Sequence, residues 1–423
     1  MGFGQGLSGL NAAAQNLDVI GNNIANSGTV GFKSSTASFA DVYASSRVGL
    51  GVKVAAINQR FTVGAVTGNG GEYDIAIDGA KGLFRVTDQS GAVMYTRNGQ
   101  FLVDKTNYIV NAQGYRLTGY PAGAVGANPV ELQLPTANVQ PKATSTGTTV
   151  ANLDANAKVI YPVDTVVQPA VTELGKPFDP SQSDTYTNAS PMTVYDSLGN
   201  SHQVMQYFVK RPADAAGNSV YDVYYTMDGE AMAPTTEAGG VWTSGTQFTF
   251  NKAGALTSAP VVNLSFAQPG GTTTPADPLN IAMNYAGTTQ YGSDYKLVAK
   301  PDGYTSGEFS GVNIAADGSI VANYTNGETQ VVGTIVLADF SNLQGLKPVG
   351  NNAWQETAAS GQPILGQPGT NGLSTLVGQA TEASNVDMSQ ELVNMIIAQR
   401  TYQANSQTIK TQDEIMQVLM NLK

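Results

Sequence analysis

The sequence predicts a mainly β protein with α-helical termini, in which discontinuous antiparallel β domains are inserted in series between N- and C-terminal coiled-coil helices. Apolar residues recur with heptad spacing at both ends of the chain, whereas the middle is rich in alternating β-branched and aromatic runs. Two stretches rich in glycine, proline, threonine and alanine interrupt the middle and indicate where its domains divide.

The N-terminal stretch has the spacing of an amphipathic helix. Between Phe3 and Ile24, apolar or small residues recur in alternating steps of four and three, as they do along the seam of a coiled coil. The seam positions are Phe3, Leu7, Leu10, Ala14, Leu17, Gly21 and Ile24. This spacing predicts a helix of roughly 33 Å.

Three asparagines, Asn22, Asn23 and Asn26, lie at the end of this seam. Asparagine side chains bond free backbone groups at helix ends, so we expect them to end the helix, with Gly28 in the left-handed conformation. The alternative is that they also contact neighbouring chains.

The C-terminal stretch predicts a second, longer helix. Its candidate N-caps are Ser384, Asn385 and Asp387, and Gln390 follows Asp387 as in a capping box. The seam positions are Met388, Leu392, Met395, Gln399, Tyr402, Ser406, Ile409, Asp413, Met416 and Met420. The apolar face is widened by Val393, Ile396, Ile397 and Leu419. Because such a face does not persist alone in water, we expect the two terminal helices to pack on each other. The alternative is that each helix packs on a globular core.

Between the helices, alternating β-branched and aromatic residues predict strands. The runs are 83–88, 92–97, 99–104, 193–196, 202–211, 220–227, 246–251 and 329–340. The pairs Asn98-Gly99 and Asn326-Gly327 suit two-residue hairpins. Looser turns are expected at Gly91, Gly199 and Gly254.

The composition shifts at 122–155 and 266–303 suggest that one domain is inserted into another. The chain would leave the first domain, form the second and then return to the first. We expect four parts: 1–30 with 385–423 as a terminal helical coiled-coil polymerisation domain, 31–71 as an extended connector, 72–144 with 303–384 as an inner β domain, and 145–302 as an outer inserted β domain.

The composition also excludes several kinds of site. The chain has no cysteine, so it forms no disulfide or thiolate metal site. Its one histidine, His202, excludes sites that need two imidazoles and is expected on a strand surface. Asp74 and Asp78 share a strand face and are expected to be solvated rather than paired acids or cation ligands. The sequence therefore predicts no catalytic residue, no cofactor and no metal.

The charge and hydropathy patterns argue against nucleic-acid and membrane partners. The net charge of −11 opposes binding to phosphate backbones. No stretch approaches the roughly 18 to 20 consecutive apolar residues that a membrane span requires. The first residues lack the basic and apolar regions of a secretory leader, so we expect export by another route.

Three motifs resemble those shared by flagellar rod and hook proteins. In the first, an Asn-Asn-x-Ala-Asn run leads through Thr-x-Gly to an aromatic and a basic residue, with matches at Asn22, Asn23, Ala25, Asn26, Thr29, Gly31, Phe32 and Lys33. The stretch 74–86 is similar to the family's first β motif, although Leu83 and Phe84 stand where that motif usually has two phenylalanines. The stretch 384–405 is similar to its C-terminal motif. The region 145–302 resembles the family only weakly.

This resemblance implies a self-assembling structural protein. Rod members are generally shorter, with little or no outer insertion, so the length and domain order favour a hook-type member. Such a subunit would be exported unfolded and uncleaved by the flagellar type III export apparatus, and would polymerise outside the cell into a curved tube. That tube would act as a flexible, torque-transmitting joint between rod and filament. The implied partners are further copies of the chain, the distal rod protein, a hook cap protein and a hook-filament junction protein.

We expect the helix seams and the family motifs to form the assembly surface. Its predicted members are Leu7, Leu10, Leu17, Asn22, Asn23, Ile24, Asn26, Gly31, Phe32, Leu392, Met395, Arg400, Tyr402, Ile409 and Met416. Two other interpretations stay open. A distal flagellar rod protein would share the terminal motifs, and a secreted β-rich adhesin would share the β-rich middle but would not explain the terminal heptads.

Overall fold

The computed structural model of this protein describes residues 2–42, 49–135, 137–161 and 176–421. Small parts of the predicted helical, connector and inserted ranges lie outside the described residues, as does the side chain of Leu419. The chain forms two compact units. The first contains 1–136, 310–323 and 329–423, and the second contains 137–309 and 324–328.

Both predicted terminal helices are present: α1 spans Gly2–Ala25 and α2 spans Met388–Asn421. Asp387 caps α2, because its side chain accepts the N–H groups of Ser389 at 2.9 Å and Gln390 at 3.1 Å. The capping box is not completed, since the Gln390 side chain donates to Asn394 instead. The prediction that Asp387 is the N-cap is therefore confirmed, and the prediction of a reciprocal bond from the Gln390 side chain is wrong.

The expected left-handed glycine after α1 is Gly31, with φ of 70°, and not Gly28. At Gly31 the chain passes so close to residue 97 that a Cβ would lie 2.6 Å from the Arg97 carbonyl carbon. Glycine is required there by both conformation and space. After α1 ends at Ala25, the chain continues through turns and reverses at Gly31. The prediction that Gly28 adopts the left-handed conformation is therefore wrong.

The strands of the first unit lie on both sides of the inserted unit. Before it come β1 Ser35–Asp41, β2 Val52–Gln59, β3 Val66–Gly68, β4 Ile75–Asp78, β5 Leu83–Thr87, β6 Val93–Thr96, β7 Phe101–Val103, β8 Ile109–Asn111, β9 Arg116–Pro121 and β10 Val130–Glu131.

The strands of the second unit are β11 Thr146–Asn152, β12 Asn188–Tyr195, β13 Ser201–Arg211, β14 Ser219–Met227, β15 Glu230–Ala231, β16 Thr236–Ala238, β17 Val241–Thr243, β18 Thr246–Phe250, β19 Val261–Phe266, β20 Leu279–Asn284 and β21 Lys296–Pro301.

The returning chain contributes β22 Phe309–Ile314, β23 Ser319–Tyr324, β24 Thr329–Ile335, β25 Leu337–Asp339, β26 Lys347–Gly350, β27 Ala353–Gln355, β28 Ile364–Gly366, β29 Thr375–Gly378 and β30 Ala380–Glu382, with a 3₁₀ turn at Leu343–Gly345.

The first unit is built on one large sheet whose strands come from both sides of the insertion. Its central order is β22-β23-β24-β9-β5-β6-β27-β26, and Leu83, Tyr95, Phe340 and Trp354 pack together in its core. The pairs β4–β29 and β3–β30 join the segments that leave α1 and lead into α2. Strands β1 and β2 form a separate antiparallel pair within the predicted connector.

The described part of the second unit contains two larger sheets, ordered β19-β20-β11-β21 and β12-β13-β14-β15, with β18 beside β14, and a small two-stranded sheet of β16 and β17. Alternating side chains of both sheets bury one aromatic-rich core that includes Phe208, Tyr221, Tyr225, Phe248 and Tyr285. The pairing is antiparallel apart from β11 on β20. The predicted fold class, mainly antiparallel β between terminal helices, is confirmed.

A five-residue turn recurs at many of the hairpins. The side-chain oxygen of its first residue accepts the backbone N–H groups two and four positions later, and a glycine or asparagine with positive φ stands fourth. The turns begin at Asp88, Asp104, Asn111, Asp196, Asp214 and Asn251. Gly91, Gly199 and Gly254 are fourth residues of these turns, so the looser turns predicted there are confirmed.

The two predicted two-residue hairpins do not form. Strand β6 pairs with β5 and β27 while β7 pairs with β8, so Asn98-Gly99 joins strands that are not neighbours. Gly99 serves instead for close packing, because a Cβ there would collide with the Ile75 carbonyl oxygen. At Asn326-Gly327 the strands do form a hairpin, but Tyr324 still pairs with Glu328, which leaves a three-residue loop.

The chain enters and leaves the second unit through a short two-stranded segment, which we call the stem. Val139 and Gly307 exchange backbone hydrogen bonds of 2.9 and 3.2 Å, and Lys142 and Tyr304 exchange bonds of 3.0 and 3.1 Å. The two crossing points are therefore neighbours, as is usual for an inserted domain.

Because Val139 and Gly307 are already paired, replacing residues 140–306 by Asn-Gly should close the stem as a tight hairpin and leave the first unit folded. We expect a monomer by sedimentation with one cooperative thermal transition. Aggregation of this variant and of one with a longer Gly/Ser linker would show that the first unit does not fold alone.

Candidate assembly site

The two terminal helices pack together through small side chains. A Cβ on Gly6 would lie 3.0 Å from Cγ1 of Ile409, and one on Gly9 would lie 2.7 Å from the Asn405 side chain. Ala13 on α1 and Ala398 on α2 are buried. Small residues at a helix contact let the two axes approach closely, so this contact leaves no room for larger groups.

The predicted seam is not the one that forms this contact. Leu7 and Leu392 are 47% and 45% exposed, and Tyr402 and Met416 are also exposed. Of the other predicted seam residues, Leu10, Leu17, Ile24 and Met395 are half-buried, and Ile409 does meet α1. The predicted register is therefore wrong for the contact within one chain. The largest apolar side chains define the sequence pattern, whereas the closest packing uses the glycine and alanine face beside them.

This packing leaves a continuous apolar stripe on α2. Leu392, Val393, Ile396 and Ile397 are each 45 to 58% exposed. Phe3 and Leu7 on α1 are exposed to a similar extent. We call the four α2 residues the α2 stripe.

Two grooves lie beside the α2 stripe, between α1, α2 and β1. The larger, of about 450 Å³, is lined by Ala12, Ala13, Phe39, Ile397 and Ala398, and no charged side chain lines it. The smaller, of about 290 Å³, is lined by Val19, Ile20 and Glu391 among others. The larger groove and the α2 stripe together form an exposed apolar surface, which makes this face the candidate contact site.

The bases of the two helices are joined to the β structure by a buried ionic cluster around Glu382. Lys33 Nζ lies 2.6 Å from Oε1 of Glu382, and Arg97 Nη1 lies 2.9 Å from Oε2. The N–H of Gly64 donates to Oε1 at 2.9 Å, and the N–H of Gly31 donates to the Glu382 carbonyl at 2.8 Å. One carboxylate therefore connects the segment after α1, the strand region and the segment before α2.

The ions of this cluster are out of contact with water. The side chains of Lys33 and Glu382 are fully buried, and that of Arg97 is 2% exposed. Burial lowers the pKa of Lys33 and of Arg97, while Glu382 opposes both shifts. Each cation makes one further bond: Lys33 donates to the Thr62 carbonyl at 2.7 Å, and Arg97 donates to the Gly79 carbonyl at 2.9 Å. Such geometry is needed for a buried ion pair to offset its desolvation.

Two asparagines extend the same junction. Asn23, which is buried, donates to the Ser35 carbonyl at 2.8 Å and accepts the Ser35 N–H at 2.9 Å, so its amide substitutes for a strand neighbour. Asn385 accepts the Ser34 N–H at 2.7 Å and donates to the Arg60 carbonyl at 2.7 Å. We call Asn23, Gly31, Lys33, Arg97, Glu382 and Asn385 the clasp.

The other predicted motif residues lie near the clasp but do different things. Asn26 donates to the carbonyl and side chain of Asn22 at the end of α1, as expected. The Asn23 amide bonds Ser35 and not the helix end, so that part of the expectation is wrong. Phe32 is half-buried and its carbonyl accepts the Asn385 N–H at 3.4 Å. Arg400 is exposed on α2. The part of these residues in assembly stays a prediction.

Sequence reasoning missed Arg97 and Glu382 as members of the site. Lys33 belonged to a recognised motif, and a buried lysine requires an acid, but Glu382 lies 349 positions away. No short-range spacing distinguishes it among the 32 acidic residues.

The prediction that His202 lies on a strand surface is also wrong. His202 on β13 is buried, and a carboxylate oxygen lies beside each ring nitrogen, at 2.6 Å for Asp228 and 3.3 Å for Asp196. Alternation with the buried Val204 places it on the inner face of the strand. Asp78 is exposed and Asp74 is half-buried beside Asn69. Among the described residues, no three His, Asp or Glu side chains are arranged to hold a metal ion.

None of the helices in the described part of the chain combines the length and the apolar character needed to cross a membrane.

Family models match successive parts of the chain. "Flagella basal body rod protein" matches 5–33, "Flagellar hook protein FlgE/F/G D1 domain" matches 76–152, "Flagellar basal body protein FlaE D2 domain" matches 152–304, and "Flagellar basal body rod FlgEFG protein C-terminal" matches 377–422. The first and last matches contain α1 and α2, and the last also contains Glu382.

Several relatives match over the whole length. The chain is 44% identical to the flagellar hook protein FlgE of Salmonella typhimurium and 43% identical to that of Escherichia coli K12, with 100% of each chain covered. The crystal structure of Helicobacter pylori flagellar hook protein FlgE2 is similar with a TM-score of 0.50 and 16% identity, over 73% of this chain and 98% of that one. The last similarity supports the fold alone.

Replacing Glu382 by glutamine should destabilise the first unit by about 3 to 5 kcal/mol, because two buried cations lose their shared anion. Glu131→Gln is the matched control: its ion pair with Arg116 is about one-third exposed, so we expect a loss within about 1 kcal/mol. Urea unfolding followed by Trp354 fluorescence in a Trp242→Phe background measures both. Equal losses for the two variants would contradict a special role for the clasp.

Proposed function

We propose, since this chain belongs to the flagellar hook protein FlgE family and is a structural subunit of the bacterial flagellar hook, that its copies polymerise through the surface of the paired terminal helices. The observation that supports this most directly is the α2 stripe. Four large apolar side chains lie in a row on a well-formed helix and are only about half covered within the described chain.

The energetics favour covering this stripe with another copy. Complete burial of a Leu, Ile or Val side chain contributes about 1.5 to 3 kcal/mol, and covering the exposed half of each side chain in the α2 stripe contributes about half of that. The chain carries a net charge of −11, so copies repel one another. This repulsion is weakest for a contact that brings few charged side chains together. Helix α1 carries one charged residue, Asp18, and no charged side chain lines the larger groove, so a contact over α1 and this groove brings few like charges together.

The placement of the exposed apolar residues on the two helices also favours an open polymer. The exposed residues Phe3 and Leu7 lie on α1, whereas the α2 stripe lies on the other helix. A contact between two different patches is heterologous, and a heterologous contact that does not close into a ring produces a helical filament. We propose that this polymer is a curved tube that serves as a flexible, torque-transmitting joint.

The clasp would transmit force between the polymer-forming helices and the first β unit. Its bonds join the segment after α1 to the segment before α2 through one buried carboxylate, so neither helix can turn on the β unit without breaking an ion pair. Clasp residues therefore have a mechanical role in this proposal, in addition to stability.

We further propose the partners that a hook subunit would meet: the distal rod protein, a hook cap protein, a hook-filament junction protein and the type III export apparatus, with extracellular assembly after export. The role proposed for the chain is structural and not catalytic. A rod or adhesin assignment is disfavoured because relatives matched along the full chain, including the inserted unit, are named hook proteins.

Ile397→Asp should block polymerisation while leaving the subunit folded, because the side chain is 58% exposed in the free chain but would be buried in the polymer. Gln399→Asp introduces the same charge at another exposed position of α2, about 200° around the helix, and should assemble normally. Electron microscopy and thermal unfolding of both variants test this. Full-length hooks from Ile397→Asp would contradict the assignment of the α2 stripe.

Amide exchange should distinguish the helices from the β units on assembly. In the dilute monomer each terminal helix has cover on one side only, so α1 and α2 should exchange faster than the strands. In the polymer the helices should become strongly protected, with little change between residues 80 and 375. Slow exchange of both helices already in the monomer would mean that they need no neighbour, and that the β units drive assembly.

A further inference from the structure

The only histidine in the sequence, His202, is held between two carboxylates of the second unit. Nδ1 faces Oδ2 of Asp228 at 2.6 Å, and Nε2 faces Oδ2 of Asp196 at 3.3 Å. An ionised carboxylate only accepts hydrogen bonds, so both contacts are satisfied together only when the imidazole carries two protons. These two acids, one after β12 and one after β14, are the charged groups that act on His202.

Both acids make further hydrogen bonds that hold them beside the ring, although the side chain of Asp228 is 51% exposed. Asp196 is buried and also accepts the N–H groups of Leu198 and Asn200 and the side-chain amide of Asn200. Asp228 accepts the N–H of Gln203 at 2.9 Å. A neutral ring would therefore direct a lone pair at one carboxylate that the backbone holds in place, which is an unfavourable contact.

The turn that contains Asp196 is also packed against the stem. A Cβ on Gly199 would lie 2.6 Å from Cβ of Pro141. The N–H of Thr144 donates to the Tyr195 carbonyl at 2.9 Å, and the N–H of Tyr195 donates to Oγ1 of Thr144 at 2.9 Å. Through Asp196, His202 is therefore connected to the strand by which the chain enters the second unit.

We propose that His202 is a proton-sensitive latch that fixes the stem to the body of the second unit. When the imidazole is protonated, it holds the Asp196 turn and, through Gly199 and Tyr195, the stem. When the ring is neutral, that turn loses one of its two side-chain anchors and the stem loosens.

The direction of the pH dependence follows from the two acids. Burial alone would lower the pKa of His202, but the hydrogen bonds to Asp228 and Asp196 outweigh burial and raise it. A histidine with a raised folded pKa stabilises fully below its unfolded value of about 6.5, and that stability is lost as pH rises through the folded value. The latch is therefore closed in acid and opens on the alkaline side.

The stem contains a second titrating group, Asp302, which changes its protonation in acid and not on the alkaline side. Asp302 accepts the N–H groups of Ser145 and Thr146 and pairs with Lys142. Burial alone would raise the pKa of Asp302, but these bonds outweigh it and hold the pKa far below its usual range. Asp302 takes up a proton only in strong acid, so its protonation would loosen the stem only there. A transition on the alkaline side is therefore not caused by Asp302.

The test uses the full, unpolymerised chain labelled with ¹³C and ¹⁵N in histidine. We expect the one imidazole signal to titrate with a midpoint above 6.5. Protection of the Lys142 and Thr144 amides, corrected for intrinsic base-catalysed exchange, should fall about tenfold or more over the same pH range. A midpoint at or below 6.5, or stem protection that stays constant through the titration, would overturn the latch.

Variants separate the latch from general stability. Asp228→Asn keeps size and tolerates the positive φ at this position, and should lower both the His202 midpoint and the pH at which the stem loosens. Asp294→Asn, at an exposed acid of the same unit, should change neither. His202→Gln should show a loosened stem at every pH. If His202→Gln fails to fold, Asp228→Asn decides, and a stem transition that does not follow the midpoint rejects the proposal. All these measurements are made without polymer, so they are independent of the proposed mode of assembly.

Discussion

The buried carboxylate of Glu382 is the interaction on which the placement of the two terminal helices depends. It accepts bonds from Lys33, Arg97 and Gly64, which belong to three separate segments of the first unit. A buried acid shared by two cations has few arrangements that satisfy every donor, and each broken contact exposes an unpaired charge to an apolar interior. The direction in which α1 leaves the β structure and the direction in which α2 returns are thus set at one point.

The helices beyond that point follow a different rule. Their contact uses Gly6, Gly9, Ala13 and Ala398, whose small size brings the axes close and turns the larger apolar groups outward. One arrangement therefore does two things: it holds the pair together inside a chain, and it leaves the α2 stripe about half exposed for the contact proposed with other chains. A pair that buried its leucines and isoleucines inside would be more stable alone and would have less reason to polymerise.

How far the sequence predicts this structure depends on the range over which its signals act. Helix and strand positions follow from local periodicity, and the Asp387 cap from a spacing of three residues, so these were predictable. The clasp joins residues as far apart as Lys33 and Glu382, and nothing local marks that pair. The helix register was predicted wrongly because periodicity favours the largest apolar groups, while packing favours the smallest. His202 was predictable in principle, since its alternation with Val204 indicates an inward face.

The distribution of charge also separates the parts that must keep their geometry from those that can shift. Only 13% of the residues are charged, yet Lys33, Arg97 and Glu382 are buried together at the base of the helices, and His202 lies between two acids beside the stem. A buried charge pair tolerates little displacement, because its energy depends on short directed contacts. Apolar contact depends mainly on buried area and is non-directional, so it survives sliding. The proposed assembly would use both: charged junctions that keep each unit in shape, and apolar helical surfaces over which neighbouring copies could shift without losing contact.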